Sequence, residues 1–216
     1  LLDANSAYYF GNLADGRVEM QKIGLGGDKQ TGDGRSLPGS ARMAPSVTIP
    51  VKILVDEDEP TKQILWERKL RARVQKASEI LEKHCRLKLK VVAVDTWTTD
   101  NRVNKFFDSF SEFEKKVNPF PGQLAIGFTS QYKVPHGRVH LGGTRGPFHT
   151  HIMIREWSKH VGEPERLELL VHELGHFLGA SHSPEPTSVM RPVLGDRKAV
   201  HKQFAIRFDP VNTLVM

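Results

Sequence analysis

The chain has 216 residues, of which 38% are hydrophobic and 26% charged, with a formal charge of +6 at pH 7 and a pI near 9.5. That length is enough for one domain with an attached segment and a real core, and that composition excludes an intrinsically disordered chain. The single cysteine, Cys85, excludes an intrachain disulfide, and no apolar run approaches the ~20 residues that span a bilayer.

Residues 1–45 hold Gly24, Gly26, Gly27, Gly32, Gly34 and Gly39 with few apolar residues between them, which predicts a Gly-rich N-terminal segment in loops. Gly24-Leu25-Gly26-Gly27 lacks the Gly-Lys-Ser/Thr ending of a phosphate loop. The start, Leu1-Leu2-Asp3, has neither an initiator Met nor the charged and apolar regions of a signal peptide, so the chain is expected to be a processed or excised piece.

From residue 46 a folded domain is expected to run to residue 216. Val47, Ile49, Val51, Ile53 and Val55 alternate with polar or small residues, the period of a half-buried strand. Asp56-Glu57-Asp58-Glu59-Pro60 ends it, and is read as a solvated turn leading to a helix N-terminus; it lacks the spacing and Gly of a calcium loop, so Ca2+ is not expected there. Thr61 to His84 follows as a long amphipathic helix with Trp66, Leu70, Val74, Ala77 and Leu81 on its apolar side. Much of the chain's positive charge lies between Lys62 and Lys90, interleaved with Glu67, Glu79 and Glu82 as on a solvated helix face, and nucleic acid is not an expected partner.

Leu87, Leu89, Val91 and Val94 mark the next strand, with Cys85 before it as a buried, inert thiol. Asn104 to Val117 is predicted helical, its Phe106, Phe107, Phe110 and Phe113 forming a core stripe. Gln123 to Thr129 is a buried strand; Arg138 to Leu141 and Thr150 to Ile154 are two short strands around the turn Gly142 to Pro147. This order predicts an α/β (α+β) layer with at least one antiparallel strand. Asp209 to Met216 is a capped helix start that stops within two turns, so the full protein is expected to continue.

The chemistry concentrates in Glu163 to His182. Pro164 in a first turn and acids nearby start a helix in which His172 and His176, four residues apart, project from one face and can reach one ion. Gly179 can take the left-handed conformation that ends the helix and returns His182 to the same ion. Three imidazoles leave a position for water, and Glu173 places a carboxylate beside it as general base. His-Glu-x-x-His alone arises by chance about once in several tens of chains this long; adding Gly179 and His182 lowers that to roughly one in ten thousand.

His172 to His182, with Ser188-Val189-Met190 after it, resembles the metzincin zinc signature and Met-turn, and Met190-Arg191-Pro192 gives it a matrixin-like flavour, with adamalysins the competing branch. The resemblance implies a mixed five-stranded twisted sheet with an antiparallel edge strand, a long active-site helix and a small C-terminal lower lobe. It implies a zinc endopeptidase with one catalytic Zn2+, a protein or peptide substrate, a monomeric state and a place outside the cytosol. Met190 would pack beneath the histidines, the edge strand over Arg138 to Gly143 would bind substrate through Gly142 and Gly143, and Pro192 and Leu194 would wall a pocket. Leu194 stands where matrixins carry Tyr, and no cysteine-switch motif is present. His140, His149 and His151 lie near the matrixin structural-zinc positions without the accompanying Asp pattern, so a second Zn2+ is not expected. A non-proteolytic zinc-binding adhesion or interaction module, or a basic surface-binding protein stapled by zinc, are the alternatives.

Overall fold

A computed structural model describes residues 6–12, 18–24, 46–103, 105–130, 141–156, 161–201 and 203–216. The chain divides into two compact units, Leu1–Met43 and Ala44–Met216. Of the first, two strands are described, β1 (Ser6–Asn12) and β2 (Val18–Gly24), which pair antiparallel. The expectation of loop throughout residues 1–45 is corrected there: Tyr8-Tyr9-Phe10 and Val18 to Ile23 carry strand-forming residues that the glycine count obscured. Leu25 to Gly27 lie outside the described residues.

The second unit runs β3 (Val47–Asp56), α1 (Gln63–Cys85), β4 (Leu87–Trp97), α2 (Phe106–Lys116), β5 (Leu124–Thr129), β6 (Gly142–Thr144), β7 (His151–Arg155), α3 (Glu163–Phe177) and α4 (Pro210–Val215). The five strands β3 to β7 form one mixed sheet in the order β4-β3-β5-β7-β6, all parallel except β6, which pairs antiparallel with β7 as an edge strand. Of the expected edge strand, residues 138–140 lie outside the described ones, and among the described residues Gly142 to Thr144, read as turn, are its rungs.

Period-two alternation sorts the strand side chains into two layers. Val51, Ile53, Val55, Leu124, Ile126, Phe128, Ile152 and Ile154 face a core completed by Leu70, Val74, Ala77 and Leu81 of α1 and Leu170, Val171 and Leu174 of α3. Leu54, Ala125 and Met153 point the other way, onto Phe106, Phe110 and Phe113 of α2. Gly127 is glycine because a Cβ there would stand 2.6 Å from the Phe113 ring. Phe107 leaves the expected stripe: it is 54% exposed.

Two polar features also depart from the sequence reading. Asp56 is buried rather than solvated; its Oδ2 accepts from Ser130 N at 2.7 Å, Glu57 accepts from Thr99 N at 2.8 Å, and α1 starts later with no acid in its first turn. Arg73, counted with the solvated basic face, is buried. Its guanidinium donates to Glu156 Oε2 at 2.6 Å and Oε1 at 2.9 Å, just past the end of β7, and to Glu163 Oε1 at 2.6 Å at the start of α3. Lys69 and Arg166 pair with the same Glu156. One carboxylate thus ties the sheet to both helices that carry the core.

After α3 the chain forms a small lobe held by Asp209, the N-cap of α4. Asp209 Oδ1 accepts from Asn212 N at 3.0 Å, and its Oδ2 from Ser188 Oγ at 2.8 Å and Asn212 Nδ2 at 2.7 Å. Asn212 in turn accepts from Ser181 N and donates to Ser181 O. Burial alone would raise the Asp209 pKa, but these hydrogen bonds to its carboxylate outweigh burial and bring it down to about 2.

Replacing Glu156 with Ala leaves buried Arg73 with the half-exposed Glu163 alone, and should lower the unfolding free energy in urea by about 3–5 kcal/mol; a loss below ~1 kcal/mol would contradict this role. Asp209 is depressed in the folded state, so its contribution is complete above the unfolded value near 4 and is lost as pH falls through about 2. The stability difference between the native chain and Asp209→Ala should therefore be full at about pH 5 and shrink between about pH 4 and 2; a difference independent of pH would overturn it.

Candidate metal centre and active site

Glu165 reaches back from the first turn of α3 to accept from Gly162 N at 2.9 Å, and Pro164 occupies that same turn, so the helix starts where its sequence signals place it. It ends at Phe177. Gly179 then adopts φ +98, a left-handed conformation, and Ala180 N donates to Gly175 O at 2.9 Å as the chain folds back.

That turn fixes the histidine chemistry. His176 Nδ1 lies 2.9 Å from Ala180 O, and His172 Nδ1 lies 2.8 Å from Val189 O. A carbonyl only accepts, so each Nδ1 carries the proton and each Nε2 presents a lone pair. Val189 is itself pinned, since its N–H donates to Arg207 O at 2.7 Å. The Nε2 of His176 stands 3.1 Å from that of His172 and 3.2 Å from that of His182. Nitrogen atoms sharing one ion at roughly 2.0–2.1 Å in a tetrahedral arrangement would be about 3.3 Å apart. Lone pairs at this spacing repel unless a cation lies between them, so the residues present fit a zinc ion. Among the described residues, this trio is the grouping of His, Cys, Asp or Glu able to hold a metal.

Burial pushes the His172 pKa down to about 4, with the neighbouring His176 and His182 adding to the effect, and burial likewise lowers that of His176. Both rings are therefore neutral at pH 7, the form a metal requires. Burial raises the Glu173 carboxyl to about 8.

His172, Glu173, His176 and His182 open into a cleft of about 330 Å³ that is also lined by Gly142 and Gly143 of β6, by Pro192 and Leu194 of the segment after Met190, and by Leu141, Thr144 and Leu169. Every site residue expected from the sequence except Met190 lines this one cleft. Met190 lies fully buried against α3: a Cβ on Gly175 would stand 2.5 Å from its Sδ, so glycine at 175 is what lets the methionine come this close to the helix that bears the histidines. Ser183 N donates to Met190 O at 2.8 Å, tying the segment of the third histidine to the same turn.

The glycines of β6 are also explained by space. A Cβ on Gly142 would stand 3.1 Å from Glu173 Cγ and Oε1, and one on Gly143 would stand 2.8 Å from the Phe106 ring. Phe107, read as core, belongs to the cleft; the signal in the sequence was that it falls outside the i, i+4, i+7 spacing of Phe106, Phe110 and Phe113, which are buried. Gly175 also escaped sequence reasoning. Of the structural-zinc candidates, His140 lies outside the described residues, and both His151 nitrogens are engaged, Nε2 with Val117 O at 2.9 Å and Nδ1 with Thr150 Oγ1 at 3.1 Å. The Cys85 thiol is half-buried and donates to Leu81 O at 3.2 Å, and burial raises its pKa.

No helix among the described residues is long and apolar enough to cross a membrane. No curated protein matches the chain. Among solved structures, it is similar to archaemetzincin from Methanopyrus kandleri, at 16% identity and a TM-score of 0.51, over 79% of this chain and 93% of that one. It is also similar to a chain in a chaperone-substrate complex, at 15% identity and a TM-score of 0.50, over 87% of this chain but only 34% of that one. At these identities the likeness is one of fold. The matrixin family model matches residues 57–213, most of the chain and all of the site described above. The chain therefore belongs to the matrixins, a family of metzincin metallopeptidases.

Proposed function

We propose that this matrixin is a zinc-dependent endopeptidase in which His172, His176 and His182 hold the metal and Glu173 is the general base. The observation that carries the reading is the convergence of three histidine Nε2 atoms, at 3.1 and 3.2 Å, in a cleft that the buried Glu173 also lines. A zinc ion bound there would supply Lewis acidity for activating water and polarising a carbonyl.

The chain's own residues account for the remainder. Hydrogen bonds from Nδ1 to Val189 O and Ala180 O hold His172 and His176 in the tautomer that offers Nε2. Glu173 takes the proton that the attacking water loses and delivers it to the amine nitrogen as the peptide C–N bond breaks. Its carboxylate has no hydrogen-bond partner among the described residues that would compete for this task, and a cation nearby favours its ionised form over the raised value that burial alone gives.

An extended peptide would add to β6 by main-chain pairing, with Pro192 and Leu194 walling a side-chain pocket. Pairing along a strand edge engages substrate backbone over several residues, which suits cleavage within a chain. Protein or peptide substrates, action as a monomer and a place outside the cytosol complete the reading.

Glu173→Gln should keep its zinc while turnover of peptide substrates falls by a factor of roughly 10² to 10⁴. Unchanged turnover in the zinc-loaded variant would remove Glu173 from the mechanism. Zinc bound to the unaltered chain without cleavage of any peptide in a broad library would favour the adhesion-module reading instead.

A further inference from the structure

Pro192 and Leu194 sit in a segment without helix or strand, so no backbone ladder fixes the wall they form. Side chains do so instead. Arg191 Nη2 donates to Asp196 Oδ1 at 2.8 Å and Arg191 Nε to Asp196 Oδ2 at 3.2 Å, a fork that closes the 192–195 loop at its base. The remaining nitrogen, Nη1, donates to Glu168 Oε1 at 2.7 Å and to Ser188 O at 3.3 Å. The guanidinium lies 5.2 Å from the centroid of the Phe204 ring.

Glu168 is one helical turn before His172 on α3, and the side chains of Glu168 and Arg191 are 1% and 5% exposed. Within the loop, Gly195 has φ +74, and a Cβ there would lie 3.4 Å from Cδ1 of Leu141, a residue that lines the cleft. The rigid guanidinium thus links three things: the metal-bearing helix, the two ends of the loop and the turn that contains Met190.

A buried ion pair is a poor way to gain stability, because apolar side chains of similar shape do as well. Here the poor exchange is plain, since Glu168 Oε2 is buried with no hydrogen-bond partner. What the arrangement provides that apolar packing does not is direction: a planar fork sets the distance and orientation of both its partners.

We propose that Glu168, Arg191 and Asp196 form a positioning device for substrate selection, which ties the 192–195 loop to α3 and sets the shape of the pocket that receives a substrate side chain beside the scissile bond. These residues act through Pro192 and Leu194, not on the reacting atoms. The proposal rests on the peptidase reading above.

The test uses the zinc-loaded chain and two variants: Asp196→Ala, at a partly exposed position, and Arg191→Lys, which keeps the charge but loses the fork. Steady-state kinetics on peptides differing at the residues flanking the cleaved bond should show KM raised about tenfold in Asp196→Ala, less in Arg191→Lys, with kcat within about twofold and zinc content unchanged. A merely stabilising role would reduce the active fraction, and so kcat, while leaving KM alone. Amide exchange in the 192–195 loop should quicken by about tenfold or more in both variants. KM and loop exchange both unchanged, or kcat and zinc content falling together, would overturn the proposal. If the unaltered zinc-bound chain cleaves no peptide, the peptidase reading fails, and unchanged loop exchange would still separately overturn the tether.

Discussion

Two backbone carbonyls decide what this site can be. By accepting from Nδ1, Val189 O and Ala180 O leave His172 and His176 with their Nε2 lone pairs facing each other, with the Nε2 of His182 3.2 Å from that of His176. Each carbonyl is placed by a different part of the fold. Ala180 is delivered by the left-handed turn at Gly179, two residues past the end of the helix. Val189 is delivered by the lobe, through Arg207 O on its N–H and through Asp209, which holds Ser188 beside it. The tautomers of two histidines on α3 are thus set by residues that follow them in the chain.

The rest of the second unit serves to hold α3 under a sheet edge. Glu156 gathers Arg73, Lys69 and Arg166, fixing the end of β7 against α1 and α3. On the far side of the sheet, α2 packs Phe106 against Gly143 and Phe113 against Gly127, so the edge strand meets an aromatic wall above and the Glu173 carboxylate below. A glycine pair is the sequence that fits between them. The cleft is therefore the gap left between two close-packed surfaces.

Much of this was legible from residue order because the determinants are local. The four-residue spacing of His172 and His176, the glycine at 179 and the capped start at Glu163 all act within a few residues, and strands β3, β4 and β5 announce themselves by alternation or by a continuous apolar run. What sequence did not reveal depends on partners far along the chain. Arg73 looks like any helix-surface arginine until Glu156, 83 residues away, is placed against it. Phe107 belongs to the apolar stripe by composition but lies on the cleft side of the helix. β6 is only three residues long, too short for periodicity to separate it from the turn that follows. The strands β1 and β2 were hidden for the opposite reason, a local glycine content that outweighed their aromatic and β-branched residues.

The proposed chemistry turns on whether the three histidines hold zinc, and native mass spectrometry of the zinc-reconstituted chain beside a His172→Ala, His176→Ala, His182→Ala triple variant addresses it directly. One zinc per chain, absent from the triple variant, is the predicted result. A reconstituted chain without zinc, or a triple variant that retains it, would contradict the assignment of the three histidines.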